Sequence, residues 1–237
     1  MPPMKLLRVI FFDFGDTLVE TEPLYIERLR LSFEAEGIPV SYDNMERAYL
    51  EADWRSAKAL VNRKPFPAAG WRELFMAVMM QELHVKSNVR ELLQRVADRM
   101  AVIHPKRKLV PGAAEFLELC SRNGIKMAVL SNNDGRTHAK AAEVGIADHF
   151  ELFLDSTIEG TPKPDPEFFR MAVNRIGVRP GECLHIGDLL GCDVMGAQAA
   201  KIRAVWLQRR KYAPKTRVKP DMKAGEFEEI ARRLKLR

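Results

Sequence analysis

The chain of 237 residues has only three cysteines, no apolar run of bilayer length and no repeated or low-complexity segment. Cys120, Cys183 and Cys192 are an odd number without paired metal spacing, which excludes a disulfide framework and a zinc site and fits a reducing cytoplasm. No stretch approaches the roughly 20 apolar residues of a membrane span. The N-terminal "MPPMKLLRVIFFDFG" is too short for one, and Arg8 lies inside it. No small-residue cleavage site follows it, so a secretory signal is not expected and a cytoplasmic protein is. The histidines are scattered without metal spacing. Membrane attachment and a histidine or cysteine metal site therefore drop out first.

What is present is a large, evenly hydrophobic chain, 46% apolar and 30% charged, with a formal charge of +6. That content supports one sizeable core, or a domain carrying an insertion. The positive charge is concentrated at one end: residues 201–237 hold thirteen Lys/Arg against four Asp/Glu, and the remainder is slightly acidic. The segment "QRRKYAPKTRVK" (208–219) is the candidate for a nucleic-acid patch, but the lone Tyr212 among its cations is no pattern of aromatic interleaving. A solvated loop leading to a last helix is the expectation, with nucleic acid not a partner.

Periodicity divides the chain. "LLRVIFF" (6–12) reads as a strand buried on both faces. Residues 22 to about 104 carry helical periods in four blocks, the third following the breaker "RKPFPAAG". From residue 113 onward helix and strand patterns alternate, with strands expected at "IKMAVLS", "ELFLD", "CLHIG" and "IRAVWL". Such alternation implies a Rossmann-like, doubly wound parallel sheet with helices on both faces. The first strand belongs to that sheet, so the expected division is an α/β core of residues 1–18 and 106–237, with an all-helical unit, 19–105, inserted between.

Ligands of open parallel sheets bind beyond the carboxyl ends of the strands. Those ends carry Asp13, then Ser131 with Asn132, then Asp188, while Lys163 sits in the loop after "ELFLD". Asp13, Asp188 and Asp193 at one sheet edge would repel one another unless a hard divalent cation such as Mg²⁺ intervened. Lys163 and Ser131 offer a charge and a hydroxyl suited to phosphoryl oxygens. A carboxylate facing phosphorus can attack it. The constellation implies metal-assisted phosphoryl transfer with Asp13 as nucleophile.

"FFDFGDTL", "VLSNN", "GTPKPDPEFF" and "HIGDLLGCDVMGAQAA" resemble the four motifs of the haloacid dehalogenase superfamily, over residues 6–18 and 107–207. The helical insertion is similar to the cap of that superfamily's first subclass. The resemblance implies Asp13 as nucleophile, Ser131 and Lys163 on the phosphoryl oxygens and Asn132 lining the site. It also implies Asp188 as a Mg²⁺ ligand, Asp193 supporting the metal directly or through water, Gly15 lending a backbone carbonyl to it, and Thr17 holding the phosphate-binding loop. The implied substrate is a small phosphorylated molecule.

One position departs from the pattern. Phosphatases of the superfamily usually carry a second aspartate two residues after the nucleophile, which protonates the leaving oxygen and then activates water. Here that position is Gly15, and an acid follows at Asp16. Three readings stay open: a Mg²⁺-dependent phosphatase; an enzyme that does without the acid, either a phosphonatase using a cap lysine (Lys58 or Lys64) or a dehalogenase; or a phosphate-binding regulatory module. In the insertion, Trp54, Arg55, Lys58, Arg63 and Lys64 are candidates to meet substrate. Their alternative places Trp54 in the core and the cations in solvent. The stripe "LFMAVMM" is read as packing.

Overall fold

A computed structural model describes residues 7–63 and 68–237. In chain order its elements are β1 (Val9–Phe12), β2 (Val19–Glu22), α1 (Tyr25–Ala35), α2 (Tyr42–Leu60), α3 (Ala68–Glu82), α4 (Val89–Ala101) and β3 (Lys106–Leu109). There follow α5 (Ala113–Arg122), β4 (Lys126–Ser131), α6 (Thr137–Glu143), β5 (Leu152–Asp155), the single turn α7 (Ser156–Glu159) and α8 (Pro166–Ile176). The chain ends with β6 (Cys183–Gly187), a π-helical turn (Leu190–Met195), α9 (Gly196–Ala199), β7 (Arg203–Leu207), β8 (Met222–Ala224) and α10 (Phe227–Leu234).

Six strands form one parallel sheet in the order β5-β4-β1-β6-β7-β8. The order reverses at β1, which pairs with β4 on one side and β6 on the other. All four β1 residues are buried, as a strand covered on both faces requires. Their alternation feeds two cores. Ile10 and Phe12 pack with Phe116, Leu117, Phe227 and Ile230 of α5 and α10. Val9 and Phe11 pack with Phe168, Phe169, Val194 and Ala197 on the opposite face. The expected doubly wound α/β sheet is therefore the one observed.

The helices α1–α4 form their own apolar cluster around Phe33, Met45, Met76, Met79 and Leu92. The methionine stripe is packing, as expected. Two short strands absent from the sequence reading join this unit to the sheet: β2 pairs antiparallel with β3, Val19 opposite Leu109 and Glu22 opposite Lys106. Their sequences, VETE and KRKL, are half-solvated and mostly charged, so no apolar alternation marks them. The sequence reading also lacks β8, three residues long.

The unit rests on the core through α2. Trp54 is buried among Phe168, Phe169 and Leu190. Asp53, 1% exposed, accepts the backbone N–H groups of Gly191 (2.6 Å) and Cys192 (2.8 Å) at the start of the π-helical turn. A side chain at Gly191 would lie 2.3 Å from the Asp53 carbonyl oxygen, so only glycine lets α2 descend this far.

Candidate active site

Asp13, Ser131 and Asp188 lie at the carboxyl ends of the adjacent strands β1, β4 and β6, where the strand order reverses. The Asp13 N–H donates to the carbonyl of Ile186 (2.9 Å), which fixes the start of the loop. That loop folds back on itself, with the N–H groups of Leu18 and Val19 both donating to the Phe14 carbonyl and the Asp16 N–H to Val19 (2.8 Å). The sharp turn places Asp16 in the left-handed region at φ 58°. Short acids adopt that conformation more readily than most side chains. Gly15 itself does not have a positive φ, and a Cβ built there has nothing within 4 Å. Glycine at 15 is thus not demanded by the backbone.

Lys163 is 1% exposed, and its ammonium donates to Asp13 Oδ1 (2.5 Å) and Asp193 Oδ1 (2.7 Å). Asn132 holds the lysine's backbone from both sides, its Nδ2 donating to the Lys163 carbonyl (2.8 Å) and its Oδ1 accepting the Lys163 N–H (2.8 Å). The resemblance gave Asn132 a lining role; here its amide acts on the lysine loop. Asp193 accepts three bonds, from Lys163, from His185 Nε2 (3.0 Å) and from the Leu189 N–H (3.0 Å). Gly187 makes room for it, since a Cβ there would overlap the Asp193 carboxylate at 2.2 Å. Thr17, fully buried, donates to Asp188 Oδ1 at 3.3 Å, consistent with holding the loop rather than meeting a substrate oxygen.

Burial sets the electrostatics. It pushes Asp13 up to about 6, against the opposing pull of Lys163 and with the help of Asp193. Asp193 is buried too, but Lys163 and His185 overcome that and hold it at about 2. Lys163 is kept charged because Asp13 and Asp193 outweigh its desolvation. Asp188 is raised well above the carboxylate range by burial, which Arg210 only partly offsets, with Asp13, Asp16 and Asp193 adding repulsion. Oxygens of Asp13, Asp188 and Asp193 lie within 4.8 Å of one another. A buried cluster of hard carboxylate donors with unbalanced negative charge fits Mg²⁺.

Arg210 is the residue the sequence reading left out. It belongs to the stretch expected to be a solvated loop, yet its side chain is only 14% exposed. Its Nη2 donates to Asp16 Oδ2 (2.6 Å) and to Asp188 Oδ2 (2.9 Å). Neighbouring Arg209 donates to Glu20 (2.9 Å), and the Tyr212 hydroxyl to Glu51 of α2. The only available signal was position: residues 208–212 directly follow β7, the strand beside the one that ends at Asp188. A cavity of about 280 Å³ opens beside this cluster. Asp16, Asp188 and Arg210 form its core wall, and Tyr42, Asp43 and Glu46 of α2 the facing wall. Of the five insertion residues proposed from sequence, the four described ones, Trp54, Arg55, Lys58 and Arg63, do not line it. Trp54 is core, Arg55 pairs with Glu82 (2.6 Å), and exposed Lys58 stands over the Trp54 ring. Lys64 lies outside the described residues.

A family model described as haloacid dehalogenase-like hydrolase matches residues 7–201, and the chain belongs to that family. It is 30% identical to the phosphoserine phosphatase of Thermus thermophilus, over 94% of this chain and 98% of that protein. It is 27% identical to the glyceraldehyde 3-phosphate phosphatase of Pyrococcus furiosus, over 89% of this chain and 84% of that protein. Among solved structures it resembles the hydrolase YfnB of Bacillus subtilis, which is bound to magnesium. That match has a TM-score of 0.66 and 23% identity, over 98% of this chain and all of that one. The protein is a hydrolase.

Proposed function

We propose that the chain is a Mg²⁺-dependent phosphatase of small phosphate esters, acting through an aspartyl-phosphate on Asp13. The observation that carries this is the buried triad in which Lys163 bridges Asp13 and Asp193 at the strand ends. The names of the phosphatase relatives supply the reaction class.

Of the three N–H donors on an ammonium, Lys163 has given two to carboxylates, and the third remains for a phosphoryl oxygen. Ser131, buried at the end of β4, offers its hydroxyl to another. Asp13 then attacks phosphorus in line: its carboxylate oxygen forms the new P–O bond and the ester oxygen leaves. Water hydrolyses the aspartyl-phosphate, releasing phosphate and restoring Asp13. Asp13 and Asp188, with the Gly15 carbonyl, would hold Mg²⁺, which would supply neutralisation of the phosphoryl charge. Asp193 would act on the metal only indirectly, through Lys163 and the shared charge. No carboxyl stands at position 15 to protonate the leaving oxygen, and Asp16 is engaged by Arg210. The enzyme therefore depends on leaving groups that depart without a proton.

A panel of phosphorylated metabolites and p-nitrophenyl phosphate, assayed with Mg²⁺ and again with chelator, tests this. Phosphate release that needs Mg²⁺ is the expected result. Absence of release from every ester, or release undiminished by chelator, overturns it.

A further inference from the structure

Two cations enter the acid cluster from inside the chain, and only Lys163 is accounted for by the chemistry above. Arg210 remains. Asp193 is satisfied by Lys163, His185 and the Leu189 amide, and Asp13 by Lys163. Asp188 has the weak 3.3 Å contact from Thr17, and its charged partner among the described residues is Arg210. The guanidinium is therefore the counter-charge of the acid assigned above to the metal. Its buried Nε has no hydrogen-bond partner, so the group is not fully satisfied where it stands. The backbone that carries it is tied down on both sides, by Arg209 on Glu20 and by Tyr212 on Glu51.

We propose that Arg210 is the internal counter-cation of this site, competing with the divalent cation for Asp188 and so setting the affinity with which the metal is held. This competition presupposes the metal site proposed above and goes beyond it. A divalent ion held by Asp13 and Asp188 would share Asp188 with the guanidinium, which lies 2.9 Å from its Oδ2, and like charges repel strongly in so enclosed a setting. Were Asp188 to serve such an ion, Arg210 would keep Asp16, at the cavity wall, as its other anchor. Arg210 thereby acts as a positioning residue, through Asp188.

Titration calorimetry with Mg²⁺ on the full chain tests this without substrate. Arg210→Gln should bind Mg²⁺ about tenfold tighter or more, as removing one charge near a divalent ion predicts. Arg210→Lys keeps the charge and should stay nearer wild type. Arg210→Gln with wild-type or weaker affinity overturns the inference. Hydrogen exchange on the wild type gives a second measurement that needs no variant to fold. Amides of residues 208–213 should exchange faster with saturating Mg²⁺, and unchanged or slower exchange counts against the proposal. Asp188→Ala separates the two levels of the argument. If it binds Mg²⁺ as tightly as wild type, the metal assignment itself fails; if it loses binding while Arg210→Gln gains none, only the role of Arg210 fails.

Discussion

Lys163, buried, and Arg210, partly buried, are two cations that each bridge a pair of acids around one crevice, yet they are built differently. Lys163 is sealed at 1% exposure, and Asn132 clamps its backbone through two hydrogen bonds. Arg210 stands at the edge of a cavity, with a buried Nε that has no partner. The lysine pair belongs to the floor of the site and the arginine pair to its mouth. Charge compensation here thus has an enclosed part, around Lys163, and a part that faces helix α2 across the cavity, around Arg210.

The sharpest break in the comparison comes from Asp13, the acid on the lysine side. Asp13→Asn should lower phosphate release by about a thousandfold or more while leaving circular dichroism unchanged, because an amide is nearly isosteric but a poor nucleophile. Retention of a tenth of the activity would rule out covalent catalysis by Asp13.

Lys163→Met sets the two cations against each other in stability. It leaves Asp13 and Asp193 buried without their shared partner, a loss of about 3–5 kcal/mol in urea unfolding. Arg210→Gln at the wetter position should cost about 1–2 kcal/mol. Equal losses would erase the distinction between floor and mouth.

Position 15 carries the next effect, in the loop after β1. With ordinary φ and open space, Gly15→Asp should fold like wild type. It should raise hydrolysis of an alkyl phosphate by about ten- to a hundredfold, a fraction of what general acid catalysis typically supplies. Aryl phosphate, whose leaving group needs little protonation, should gain much less. A wild type that already cleaves both esters equally fast would mean another group delivers the proton.

A smaller effect is expected where α2 meets the sheet domain. Asp53→Ala removes the acceptor of two buried N–H groups and should cost about 2–3 kcal/mol, measured by thermal unfolding. The smallest is chemical. Burial pushes the thiols of Cys120 and Cys183 up to about 12, and raises Cys192 as well. The thiolate is the reactive form, so a disulfide reagent at pH 8 should label the native chain slowly and the unfolded chain at all three positions. Rapid labelling of the native protein would show that the core opens on that timescale.

The sheet and its carboxyl ends were legible because each buried strand is a continuous apolar run, with Asp13, Ser131 and Asp188 at three of the ends and Lys163 in the loop beyond a fourth. Asp13, Ser131, Lys163 and Asp188 therefore declared their place before their neighbours were known. What escaped depends on contacts between distant segments. Arg210 lies some two hundred residues along the chain from Asp16, and nothing local distinguishes it from Arg209 or Lys211. Tyr42 and Glu46 line the cavity because α2 lies where Gly191 allows, which its own periodicity does not reveal. The β2–β3 pair escaped for another reason: half-solvated strands of charged residues lack the pattern that identifies strands at all.

The open seat at Gly15 has a consequence for descent. A change of one base turns many glycine codons into aspartate codons, and this loop demands no companion change: no backbone angle has to be relaxed and no neighbour moved. A lineage that spells Gly15 with GGT or GGC stands one base change from the double-aspartate arrangement, with a fold that accommodates either state. Substrate preference can then drift in both directions under selection, with position 15 as the point of reversal.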